Sequence, residues 1–266
     1  AKGGINDMLC ELWHLHNVQM LNVNFAEELV KLAVFVPKSH AEAVRLAIGK
    51  AGAGYIGNYS YCAFEMQGMG HFLPLAGTNP YIGEIGKIAS VDEVKLETIL
   101  PAKIKDRGVR AMVKAHPYEE AAYEIYPLKM TGETAGLGRI GELEKAVSFE
   151  KFAAMVKDTL QIDHIRLVRT NAREIKKVAL CSGAGAEFLS TANMRGADVY
   201  VTGDVKYHEA QKAQELNINL IDAGHFGTEY LVAKALAGKL DTYAKKNKWN
   251  IEISYDKVAK DPFVML

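Results

Sequence analysis

In the C-terminal half of the chain the apolar residues come in short runs, each followed by a glycine and then by an amphipathic stretch. Lys176–Gly183 (KKVALCSG), Asp198–Thr202 (DVYVT) and the run ending in Leu220-Ile221 read as strands, with Gly183, Gly203 and Gly224 at the turns. Helices are expected over Glu187–Arg195, from Asp204 to about Leu216, and from near Phe226 onward. Strand, turn and helix repeated in this way build a parallel sheet, and open sheets of that kind hold ligands just beyond their strand ends. The expected class is α/β.

Upstream the pattern changes. Ile5–His16 has the apolar spacing of an amphipathic helix, with Asn6 or Asp7 as its cap. Glu28–Leu128 then offers a strand at Leu29–Val36 stopped by Pro37, a helix over Ser39–Gly49 and an alternating strand at Tyr59–Met66. A further strand is expected at Gly70–Leu75 or near Val94–Ile99, followed by a helix over Pro101–Lys114 and a last strand at Ala121–Tyr126. This order, β-α-β-β-α-β, is ferredoxin-like. The glycine-rich Lys129–Gly141 has no apolar period and reads as a return linker. Ser148 caps a helix through Leu160, His164–Val168 is a short strand, and Asn250–Tyr255 alternates as a strand near the end.

The chemistry concentrates where the C-terminal strands stop. Asp204 and His208 stand four residues apart, as do His225 and Glu229, and Asp222 closes its own strand. On a helix that spacing puts two side chains one turn apart, close enough to share an ion. The structural alternatives are that Asp204 only caps its helix and Asp222 only braces its turn. His14 and His16, two apart on a helix, face different directions. His71 and His116 stand alone and read as hydrogen-bonded structural residues. GKAGAGYIGNYS (49–60), with Gly49, Gly52, Gly54 and Gly57, follows a helix rather than a strand, so it reads as a helix end and turn, not a phosphate cradle. The turn Gly183–Ala186 could meet a phosphate, but Phe188 stands where GxGxxG needs its third glycine, and tight packing explains the turn.

The two stretches TGDVKYHEA (202–210) and DAGHFGTE (222–229) resemble the C-terminal signature of the Nif-three-like family, also known as GTP cyclohydrolase 1 type 2 homologues. The resemblance implies that His225 and Glu229 are metal ligands of a two-metal site, with His208 beside it. The family's other ligands come from a paired-histidine motif and a TNxD aspartate, neither of which occurs in this sequence. A GGxND stretch follows that aspartate in the family, so Ala1 is expected to lie just past an absent N-terminal part, and the metal site of the chain is expected to be incomplete. His116–Ala121 (HPYEEA) resembles a stretch of CutA-like proteins, a branch of the PII-like ferredoxin folds that tend to form trimers; some family members carry such a module between their two halves.

Composition adds exclusions. With 32 basic against 32 acidic residues the chain has no electrostatic pull toward nucleic acid or anionic membrane. No apolar run approaches the roughly 20 residues that span a bilayer. The opening AKGGINDML lacks the charged and apolar regions of a signal peptide. Cys10, Cys62 and Cys181 are far apart, without a CxxC, and read as buried thiols in a reducing cytoplasm.

The sequence therefore predicts a Nif-three-like metal-binding core over 1–27 and 128–266, interrupted by a PII/CutA-like domain over 28–127. The resemblance implies a metal-dependent hydrolase acting on a small molecule, with a nucleotide such as GTP as the suggested substrate. Two divalent ions, zinc, iron or manganese, would be held by His225 and Glu229, with His208 and Asp204 serving catalysis. A homo-oligomer is expected, a hexamer with trimeric contacts through the insert. The alternative is a ring-forming scaffold or metal-responsive regulator whose insert is a sensor or trimer contact.

Overall fold

The computed structural model describes residues 3–264, and the expectation about what precedes Ala1 lies outside them. The chain divides into two compact units, Ala1–Phe25 with Ala135–Leu266, and Ala26–Thr134. Two long strands, β1 (His16–Pro37) and β4 (Tyr123–Val147), have residues in both. The glycine-rich stretch expected as a linker is part of β4, because its glycines let other backbone come close. A Cβ on Gly136 would lie 2.1 Å from the Asn22 carbonyl oxygen.

The larger unit opens with α1 (Ile5–Leu12), which ends before the two histidines; His14 turns with φ 51° and His16 begins β1. Its N-cap is Gly4, and neither Asn6 nor Asp7 caps it. After β4 come α4 (Phe149–Leu160), β5 (Arg166–Val168) and β6 (Ile175–Leu180), then α5 (Leu189–Met194), β7 (Val199–Thr202), α6 (Tyr207–Glu215), β8 (Asn219–Asp222), α7 (His225–Glu229) and α8 (Leu231–Lys246). The strand order is β4-β6-β7-β8-β5, with β6, β7 and β8 parallel and β4 and β5 antiparallel to their neighbours. Side chains alternate between two apolar layers. Val178, Leu180, Val199, Val201 and Ile221 pack with Trp13 and Phe152, whereas Ala179, Tyr200 and Leu220 pack with Leu189 and Ala213. The central strands are thus buried on both faces, which is why they read as continuous apolar runs. Each fully buried large apolar side chain contributes about 1.5–3 kcal/mol. Ser148 caps α4 as expected, accepting from the Lys151 N–H at 3.2 Å. Residues 250–255 form no strand; their alternating side chains lie largely exposed, with no neighbouring strand among the described residues to pair them.

The smaller unit runs β1, α2 (Ala41–Lys50), β2 (Ala63–Phe72), β3 (Ala89–Pro101), α3 (Lys105–Ala115), β4. Its strand order is β2-β3-β1-β4. Val30, Leu32, Val34, Val36, Leu96 and Leu100 face Val44, Ile48 and Met112 of the two helices. The neighbouring positions carry charge instead: Lys31 and Lys95 both meet Glu97, at 2.8 and 3.1 Å. His116 is structural. Its Nε2 donates to the Phe35 carbonyl at 2.9 Å, and its Nδ1 accepts from the Tyr118 N–H at 3.1 Å.

These contacts bear on stability in two places. Arg139 is buried and bound to the Asp7 carboxylate and to the Gly138 carbonyl. Burial raises the Asp7 pKa, but the bond and charge of Arg139 and the Gly3 and Gly4 N–H groups outweigh it and hold the carboxyl below its usual value. Asp7→Asn strands the guanidinium and is expected to cost about 3 kcal/mol, read as a lowered urea midpoint. Burial pushes the His116 pKa below 6.5, and the bond to Phe35 only partly opposes this. The folded state therefore binds its proton later than the unfolded chain. Stability is full above about pH 6.5 and declines as pH falls through the lower folded value. Urea midpoints taken between pH 7.5 and 5 should show this slope, and His116→Gln should flatten it.

Candidate functional site

Three strand ends meet beyond the C-terminal edge of the parallel strands. The loop after β6 is tied to the loop after β7 by the Gly203 N–H donating to the Gly183 carbonyl at 2.8 Å, and the loop after β8 is tied to β7 by the Ala223 N–H on the Thr202 carbonyl at 2.8 Å. Only glycine fits at 203, where a Cβ would lie 2.5 Å from the Gly224 carbonyl carbon. Thr228 closes the seam, since its buried hydroxyl accepts from the Gly183 N–H at 2.9 Å and donates back to the Gly224 carbonyl at 2.9 Å.

This stitching presents His225, the first residue of α7, between two carboxylates. Its Nδ1 meets Asp204 Oδ2 at 2.7 Å and its Nε2 meets Glu229 Oε2 at 3.3 Å. The first contact comes from the loop after β7, where Asp204 adopts φ 55°; the second is the one-turn neighbour on α7. The hydrogen bond that His225 Nδ1 donates to Asp204 raises the imidazole pKa, burial opposes it, and the charges of Glu229 and Asp204 add to the rise. All three side chains are about half exposed, so a solute can reach them.

Gly183 faces this pair. A Cβ there would stand 2.6 Å from Glu229 Oε1 and 3.1 Å from His225 Nε2, and its φ of +62° independently favours glycine. The space in front of Nε2 and the Glu229 carboxylate is therefore kept clear by the absence of a side chain. Two ligand atoms bound to one ion at about 2.0–2.2 Å stand about 3–3.5 Å apart, so the 3.3 Å separation suits a shared cation. Among the described residues no cluster of three or more His, Cys, Asp or Glu is able to hold an ion by itself. The donor set fits part of a metal site: one imidazole nitrogen and one carboxylate, with Asp204 orienting the ring.

The other expected residues separate from this group. Asp222 braces its turn: it is buried, accepts from the Val205 and Gly224 N–H groups at 3.1 and 3.0 Å, and pairs with Arg166. Arg166 is thereby occupied. Asp204 does not cap α6, whose first turn is closed by Glu209 accepting from the Lys206 N–H at 2.6 Å. His208 lies on α6, one turn after Asp204, and its Nδ1 meets Gln211 at 2.9 Å rather than His225. No phosphate cradle forms after β6, because the N–H groups of Ser182, Gly183 and Gly185 are taken by Asn6, Thr228 and Thr202. Cys10 and Cys181 are buried, and burial pushes their thiols up to about 12 and about 11. A cavity of about 620 Å³ lined by Trp13, His14, His16 and Phe152 shares no residue with the cluster. Sequence reasoning missed the roles of Thr228 and Gly183, and read Asn6 as a helix cap where its side chain instead accepts from the Ser182 N–H. The glycine is visible as a turn, but a hydroxyl and an amide that only stitch backbone carry no pattern of their own.

Among the described residues, no helix is long and apolar enough to cross a membrane. The family description Duf34/NIF3 (NGG1p interacting factor 3) matches residues 1–262. A Bacillus subtilis relative bearing the name GTP cyclohydrolase 1 type 2 homolog is 42% identical over 266 residues, covering all of this chain and 71% of its own length. A relative of the same name from Halalkalibacterium halodurans is 43% identical over the same span, with the same coverage. The crystal structure of a Bacillus cereus protein related to NIF3 superposes with TM-score 0.84 at 42% identity, covering 100% of this chain and 71% of that one. On these matches, the chain belongs to the Duf34/NIF3 family.

Proposed function

We propose that this chain is a divalent-metal-binding protein whose metal serves a hydrolytic reaction. One observation carries the reading: His225 Nε2 and Glu229 Oε2 stand 3.3 Å apart in front of Gly183, where a side chain would fill the space. His225 and Glu229 would hold the metal, and Asp204 would fix the imidazole so that Nε2 faces it. Zinc, iron or manganese suits these donors, and when bound would supply Lewis acidity and an activated water. His208, exposed on the neighbouring helix, would be the residue that exchanges protons with solvent. Two donors leave most of a coordination sphere to other groups, and a two-ion site needs more again. The relatives' name, GTP cyclohydrolase 1 type 2 homolog, makes a nucleotide such as GTP the first substrate to try.

In the same reading residues 26–134 are a ferredoxin-like insertion of the CutA/PII kind, supported by the element order β-α-β-β-α-β and the strand order β2-β3-β1-β4. That unit would serve self-assembly, with three-fold contacts in a hexamer. A scaffold or regulator that uses its metal only for assembly is the second reading, favoured by the separate apolar core that residues 26–134 build for themselves.

Metal content by plasma mass spectrometry after incubation with zinc or manganese tests the site. His225→Ala and Glu229→Gln are expected to abolish loading, whereas His71→Ala and His116→Ala leave it unchanged. Asp204→Asn should weaken metal affinity roughly 10–100-fold. Unchanged loading in His225→Ala removes the proposal. Turnover of GTP by metal-loaded protein then separates the two functions: metal bound without turnover leaves the scaffold.

A further inference from the structure

Three segments meet at the site beyond the ends of β6, β7 and β8: residues 181–187, 203–207 and 223–230. A substrate bound there must be held by the groups these segments leave free. Cations are scarce among them. Residues 181–187 and 223–230 contain no lysine or arginine, and 203–207 contains one, Lys206. Three carboxylates, Glu187, Asp204 and Glu229, share the same segments, and Arg166 on β5 is already bound to Asp222 and to the Val205 carbonyl. Lys206 is exposed, and its ammonium has no ion pair among the described residues. The aromatic rings divide in the same way. Phe226 and Tyr230 stack on each other at 4.7 Å, and the Tyr230 hydroxyl donates to the Asp256 carbonyl at 2.6 Å. Tyr207 is 74% exposed, with the His208 ring set steeply to it at 5.6 Å.

The two free side chains stand on a fixed backbone. Val205 is buried, its N–H donates to Asp222 at 3.1 Å and its carbonyl accepts from Arg166 at 2.7 Å, while the Lys206 N–H donates to Glu209 at 2.6 Å. The same run begins with Asp204, which holds His225 Nδ1 at 2.7 Å. From Asp204 to Tyr207 the chain spans at most about 10 Å, so a single nucleotide can reach from the Tyr207 ring to His225. We infer that Lys206 and Tyr207 select the substrate of this site as a phosphorylated aromatic heterocycle, the tyrosine stacking on the ring and the lysine pairing with a phosphate oxygen. This rests on the reading of His225 and Glu229 as metal ligands serving hydrolysis, and it names the substrate contacts within that reading. Every base offers a π face to a stacking ring, and a lysine meets phosphate as a point charge without the two-bond fork of an arginine. The pair therefore demands a base joined to phosphate and is indifferent to which base it is. GTP and ATP are expected to bind within a few-fold of each other.

The test measures dissociation constants of the full, metal-incubated chain for GTP, ATP, guanosine and inorganic triphosphate by calorimetry, with metal content determined on every sample by plasma mass spectrometry. Both positions are exposed, so the variants keep the fold and load metal as the parent does. Tyr207→Ala is expected to weaken GTP and guanosine roughly tenfold and to leave triphosphate unchanged; Tyr207→Phe, which keeps the ring, should restore both. Lys206→Ala should weaken GTP and triphosphate several-fold and spare guanosine, and Lys206→Arg should recover most of the loss. Unchanged GTP binding in Tyr207→Ala, a loss shared equally by triphosphate, a large preference for one base, or no GTP binding to metal-loaded chain each overturns the inference while the metal site stands. A chain that loads no metal overturns the reading beneath it as well.

Discussion

For His225 and Glu229 to face one point, three loops must lie within hydrogen-bond distance of each other, and the Gly203 N–H to Gly183 carbonyl bond is what holds them there. Everything in the site follows from that contact. It requires glycine at 203, because a side chain would strike the Gly224 carbonyl group. It requires the Gly183 N–H to find its partner elsewhere, and Thr228 provides one from the first turn of α7. Thr228 also donates to the Gly224 carbonyl just ahead of α7, which ties the start of that helix, and with it His225, to the loop after β6. The titratable groups are half exposed, while the residues that position them are buried. The chemistry is on the surface and its precision comes from underneath.

The elements legible from the residues alone are those whose burial is symmetric or cleanly one-sided. β6, β7 and β8 are covered on both faces and read as continuous apolar runs, and so does β1 from Leu29 to Val36, apolar at every position but Lys31; β3 carries Leu96 inward and Lys95 outward, and so alternates. β4 escapes notice between Lys129 and Gly141 because it is stabilised by what it lacks. Its glycines at 136, 138 and 141 admit neighbouring backbone and side chains, and a hydrophobic period cannot register an absence. The alternation at Asn250–Tyr255 misleads in the opposite direction: period two is necessary for a half-buried strand, but without a neighbouring strand it has nothing to pair with.

The site shows the same division. Spacing of four places His225 with Glu229 correctly, because one helical turn is a local fact. The same spacing places Asp204 with His208, and there it fails: Asp204 lies outside α6, in a left-handed turn, and reaches across to His225 on a different element. Long-range contacts of that sort depend on strand register. The register Thr202↔Asp222 between β7 and β8 is what sets the two loops side by side. No one-dimensional spacing contains it.

Asp222 illustrates why acidic residues at strand ends are ambiguous before a structure exists. It and Asp204 both stand at the ends of consecutive strands in the strand-turn-helix units, yet Asp222 is buried and its oxygens are taken by two N–H groups and Arg166, whereas Asp204 is half exposed and spends its carboxylate on an imidazole. The difference is set by a neighbour. β5 runs antiparallel beside β8 and brings Arg166 level with Asp222, so the carboxylate there has a cation and is neutralised in place. β7 is flanked by parallel strands on both sides, and neither brings an arginine beside Asp204. Among the described residues the side-chain partner of Asp204 is His225, and that hydrogen bond turns a structural acid into one that controls which way the imidazole presents its other nitrogen.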